Sequence, residues 1–165
     1  MLHNLLIAAH AACALGAFAL GLVAVWQPGT RGTGVVRAYL GALWLMVVFL
    51  ILVVLVDWPG LDAITRLVYS GLLVLAVYTG WRGWRAAQDL EHHRGQWRDA
   101  YIENVGFTLI ALFDGFVIVS AIDLEAPMWL VVALGVLGVL AGRLGVQRMK
   151  ERATPPSAMT DAAQP

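Results

Sequence analysis

The sequence predicts an all-α integral membrane protein: a bundle of five transmembrane helices with its amino terminus outside and its carboxyl terminus in the cytoplasm. Three observations carry that prediction. Apolar residues make up 60% of the 165-residue chain and charged residues only 13%, against roughly 45–50% and 25% in soluble domains. Five stretches approach the ~20 mostly apolar residues needed to cross a hydrocarbon core about 30 Å thick. The basic residues fall almost entirely on one side of those stretches.

The expected spans are 5–26, 38–56, 64–81, 101–122 and 127–146, within a transmembrane domain of residues 1–152. All are helices, because an open sheet leaves backbone groups unsatisfied in hydrocarbon. Turn chemistry ends the spans: Gln27-Pro28-Gly29 after the first, Asp57-Trp58-Pro59-Gly60 after the second and Glu125-Ala126-Pro127 before the fifth. The connector 82–100 is polar and lacks proline, so it extends helix three or four into water or along the membrane surface. The tail 153–165 has nothing to bury and is expected to be disordered on the cytoplasmic side.

Orientation follows from Lys and Arg near the span ends. Arg31, Arg37, Arg82, Arg85, Arg94, Arg98, Arg143, Arg148, Lys150 and Arg152 lie on one side, and the other holds only Arg66. Trp26, Trp58, Trp81, Trp84 and Trp129 fall at span ends, as an aromatic belt requires. A cleaved signal peptide is the competing reading of the first span. Its flanks argue against that, since no Lys or Arg precedes Arg31.

Eleven basic and eleven acidic side chains give zero net charge, which provides no field to attract nucleic acid. The expected partner is the lipid bilayer, together with a second copy of the chain or another membrane protein. With Cys13 alone, no intrachain disulfide or cysteine metal cluster can form. Lys150 is the single lysine and falls outside the spans, which removes Schiff-base chemistry within the bundle. No GxxxxGK[ST], GxGxxG or HExxH motif marks a nucleotide or zinc site.

The four histidines suggest neither haem nor metal. His3 and His10 share a helical face but lie about 10 Å apart along the axis, and His92 and His93 splay by about 100° on the opposite side. Asp89, Glu91, His92 and His93 can bind a metal at the surface, yet a solvated amphipathic connector explains them more simply. No cofactor and no metal is expected.

Small residues bring helices together where bulk apolarity cannot. Gly135, Gly138, Gly142 and Gly145 form one stripe on the fifth span, and Ala9, Cys13, Ala17 and Gly21 repeat every four residues on the first. Packing within the chain is the favoured use of these stripes, with dimerisation as the alternative. The second span is bulky on every face through residues 49–55 and is expected to face lipid.

An ionisable residue inside a span is a functional candidate because its charge is costly there, about 2.5–3.5 kcal/mol on insertion scales. Asp114 lies about 8 residues, or roughly 12 Å, from the outer end of span four, and His10 about 8 Å below the outer end of span one. Tyr69 and Ser70 sit at similar depth on span three, with Arg66 one turn above. These five side chains can converge on one outer-leaflet cavity in which an Asp114–His10 pair holds a transferable proton. In the plainer alternative Asp114 only locks two helices together. Glu103, nearer the cytoplasmic boundary, is expected to pair with Arg143 or Arg82.

The first span from Leu2-His3 through His10 to Gly16 and Gly21, the short basic loop after it, and the connector His92-His93-Arg94-Gly95-Gln96-Trp97-Arg98 before a further span together resemble uncharacterised small membrane proteins of bacteria. Arg37 and Tyr39 depart from that pattern, standing where a histidine belongs. The resemblance implies a bacterial inner membrane. Function is expected to be that of a non-catalytic subunit, scaffold or self-associating module. The alternatives are a proton-coupled transporter or channel using Asp114 and His10, or a membrane redox or lipid-modifying enzyme.

Overall fold

A computed structural model describes residues 1–26, 32–92, 97–124 and 126–153. They form α1 (Leu2–Trp26), α2 (Gly32–Asp57), a 3-10 turn (Trp58–Gly60), α3 (Ala63–His92), α4 (Trp97–Asp123) and α5 (Met128–Ala153). The expected first turn at residues 27–29, the segment 93–96, Glu125 and the tail 154–165 lie outside the described residues. Among the described residues three segments are long and apolar enough to cross a membrane: Leu2–Trp26, Gly34–Gly60 and Trp97–Ile118. A bundle with such helices is that of a membrane protein.

Helices α1 to α4 close into an antiparallel ring, each packing on the next and α4 returning to α1; α5 docks on the outside of α4. The ring explains why the chain needs both large and small side chains at its centre. On α2, Val36, Tyr39, Leu43 and Val47 are fully buried, following the three- and four-residue spacing of one helical face. The neighbours answer with small residues. A Cβ at Gly21 of α1 would lie 3.0 Å from the Tyr39 ring, and at Gly80 of α3 it would lie 3.5 Å from the Trp44 ring. Leu43 fills the space beside Gly83 in the same way.

This corrects the expectation that α2 simply faces lipid. It is the helix between α1 and α3, and within residues 49–55 Val54 is buried and Leu50 packs against the core, while Ile51, Leu52 and Leu55 remain exposed. A run of bulky residues carries no facial signal of its own. The faces become distinct only where Gly and Ala on adjacent helices accept the side chains.

The boundaries also move. Helix α3 runs to His92 and α4 starts at Trp97, so most of the connector 82–100 is helical and both helices lengthen. Helix α5 continues through Ala153, placing Lys150 and the first residue assigned to the tail on the helix. Between α2 and α3 the chain turns where Pro59, unable to donate, occupies the short 3-10 turn and Leu61 turns extended at φ −83°, ψ 140°. Pro127 precedes α5, and its carbonyl accepts from the Leu130 amide at 2.8 Å.

The glycine stripe of α5 serves the α4–α5 seam. Gly135 faces Ile118, Gly138 faces Asp114, Gly142 faces Ile110, and on the other side Gly106 of α4 receives Val146. Partner numbers rise on one helix as they fall on the other, as an antiparallel pair requires. Gly145 has open space and stands off that line. On α1, Ala17 and Gly21 are buried and Ala9 and Cys13 half-buried, facing the ring.

Candidate functional site

The polar groups of the interior are centred on Tyr39 rather than on Asp114. Helix α4 presents Tyr101, Asn104 and Thr108 at spacings of three and four, one face turned into the ring. The Thr108 hydroxyl donates to the Val105 carbonyl at 2.7 Å, which leaves its oxygen to accept from the Tyr39 hydroxyl of α2. The Tyr101 hydroxyl donates to the Ala24 carbonyl of α1 at 2.9 Å. Asn104 Nδ2 donates to Asp89 Oδ2 of α3 at 2.7 Å. One face of α4 is thus tied to all three other helices of the ring. Each bond removes a group that hydrocarbon would leave unsatisfied.

Among the described residues no side-chain hydrogen bond or ion pair joins any two of the five candidate side chains. His10 Nδ1 donates to the Met46 carbonyl of α2 at 3.0 Å. Asp114 lies six residues beyond Thr108, on the opposite flank of α4, and packs against Gly138 of α5; its Oδ1 is buried and has no hydrogen-bond partner. The depths differ as well. Phe18 of α1 stacks near Phe113 of α4, with centroids 6.5 Å apart, so Asp114 is level with Phe18, eight residues and about 12 Å along the axis from His10. Counting residues inward from each span end assumed that the helices begin in one plane. The stagger of α1 against α4 shifts them.

The other candidates stay near the turn between α2 and α3. Arg66 lies 5.5 Å from the Trp58 ring centroid, and the Ser70 hydroxyl donates to the Arg66 carbonyl of its own helix at 2.8 Å. Tyr69 is half-buried on α3. His3 Nδ1 approaches Asp57 Oδ1 at 3.0 Å, a polar contact without hydrogen-bond alignment that joins the start of α1 to the end of α2. At the opposite end of the bundle Glu103 pairs with Lys150 at 2.6 Å. Arg143 and Arg82 were expected there. Arg82 reaches only the Glu103 carbonyl, at 3.4 Å.

His92 Nδ1 donates to the Gln88 carbonyl one turn back at 3.0 Å, and His93 lies outside the described residues. Among the described residues no cluster of three or more His, Cys, Asp or Glu is placed to hold a metal ion. The sequence reading missed the importance of Tyr39, Tyr101 and Thr79, the last buried with its hydroxyl donating to the Leu75 carbonyl at 2.8 Å. The 101/104/108 spacing was the available signal.

Because Asp114 and His10 engage different helices, their substitutions should act independently. Asp114→Asn and His10→Ala are expected to add to within about 0.5 kcal/mol in an unfolding titration in mixed micelles. A coupling well above that would show that the two side chains do communicate. Comparison of the chain with protein-family models, with curated proteins and with solved structures finds no match.

Proposed function

We propose that the chain is a five-span protein of a bacterial inner membrane, amino terminus outside, acting as a non-catalytic subunit, scaffold or self-associating module. The observation that carries this reading is how the interior polar groups are used. Tyr39, Tyr101, Asn104, Thr108 and His10 all bond other residues of the same chain, which is the work of holding helices in register. Groups bonded in this way are not free to converge on a reaction.

Support for five spans comes from the packing. Helix α3 packs between α2 and α4, two helices apolar enough to cross, which favours a span running beside them. Helix α5 has an outward face of Leu137, Leu140 and Leu144, all exposed, suited to lipid or to another membrane helix. Two measurements test the reading. A cysteine placed at residue 160 in a Cys13→Ala background should be labelled only from the cytoplasmic side. The protein purified in mild detergent should have the mass of an oligomer or carry a partner. Labelling from outside would overturn the orientation, and a monomer free of partners would overturn the module.

One observation favours a second reading, proton handling at Asp114: its Oδ1 is sealed in the α4–α5 seam with no donor. Under that reading Asp114→Asn abolishes pH-driven uptake into vesicles while leaving the fold intact. Under the module reading the variant leaves assembly unchanged.

A further inference from the structure

Helices α3 and α5 flank α4, and at the basic end of the bundle Arg82 of α3 lies against Phe107 of α4 while Arg143 of α5 is near enough to Glu103 for its charge to act there. The Arg82 guanidinium of α3 lies 5.0 Å from the Phe107 ring centroid. One terminal nitrogen makes the 3.4 Å contact with the Glu103 carbonyl, and the buried Nε finds no acceptor. Arg143 of α5, with Arg82 and Lys150, lies within Coulombic range of the Glu103 carboxylate. Lys150 is the one in direct contact, at 2.6 Å. The charges of three cations thus act on one carboxylate, and that carboxylate is already engaged by Lys150.

Other acids lie elsewhere. Asp89 accepts from Asn104 between α3 and α4, Asp99 is a turn beyond Glu103 toward the end of the bundle, and Glu151 stands eight residues, about 12 Å, past Arg143. The layer nearest the apolar wall thus has an excess of positive charge. Trp81, with Arg85 at 5.1 Å from its centroid, and the exposed Trp84 lie at the same level of α3, the pairing of aromatic and basic groups that suits a membrane boundary.

We propose that the strip of α4 between Arg82 and Arg143, over Phe107, binds the phosphate of an anionic phospholipid. The inference rests on the membrane reading above. A guanidinium presents forked donors that match phosphate oxygens, and a stem rising along apolar surface places its head at headgroup depth. A headgroup with net negative charge gains from the two arginines and one with its own cation does not; Glu103, whose charge Lys150 largely offsets, opposes that preference only in part.

The test is native mass spectrometry of the full chain purified in detergent, offered equal amounts of dioleoyl phosphatidylglycerol and dioleoyl phosphatidylcholine. Wild type is expected to retain the glycerol lipid preferentially. Arg82→Gln with Arg143→Gln should reduce that preference by about tenfold, Arg148→Gln should not change it, and Glu103→Gln should raise it. Should the double variant not fold, Glu103→Gln alone still decides the sign. Equal retention of the two lipids by wild type, an undiminished preference in the double variant, or displacement of the lipid by millimolar inorganic phosphate would overturn the proposal. Extraction of the protein from membranes by alkaline carbonate would instead overturn the membrane reading, whatever the lipid result.

Discussion

Gly142→Leu is expected to separate α5 from α4 and to cost about 3 kcal/mol, the upper end of ordinary overpacking. A Cβ at this position would meet Ile110, with Cδ1 at 2.7 Å and Cβ at 3.3 Å. The nearest part of that neighbour is the branched base of a side chain fixed on a helix, which cannot swing aside. Because α5 is held chiefly by α4 among the described residues, little else retains it once the seam opens. Gly145→Leu, in open space on the same helix, should shift stability by less than about 0.5 kcal/mol. Equilibrium unfolding in mixed micelles compares the two variants, and equal stability would contradict the seam. The contrast also separates seam packing from helix propensity, since both substitutions replace glycine by leucine within α5.

Tyr39→Ala should be at least as damaging, about 3–5 kcal/mol, as for other large aromatics removed from a core. The ring is fully buried and its edges lie against Gly21 of α1 and Gly83 of α3, while its hydroxyl donates to Thr108 of α4. One α2 side chain thus touches every other helix of the ring. Tyr39→Phe keeps the ring and loses only the bond to Thr108, so it should cost about 1 kcal/mol or less. If the phenylalanine variant proved as unstable as the alanine variant, the hydroxyl rather than the ring would hold the bundle together.

The sequence by itself determined the all-helical class, the apolar helices and the presence of glycines that let helices approach. Those properties are local: composition, a rise of 1.5 Å per residue and the absence of a Cβ act without reference to the rest of the chain. It also marked Asp114 as the costly residue within a span, since hydrocarbon penalises charge wherever the helix is placed. What only the tertiary structure decided is who meets whom. Asp114 turned to Gly138 instead of His10 because α4 has two packing faces, one toward the ring and one toward α5, and Asp114 lies on the second. Lys150, excluded from the spans by the sequence reading, reached Glu103 because α5 continues through Ala153. Tyr39, which no local pattern of α2 singles out, became central because Gly21 and Gly83 stand on its neighbours. A helix in an apolar solvent has no amphipathic stripe to announce its buried face. Its partners are chosen by the complementary shapes of other helices, and that information is distributed over residues far apart in the chain.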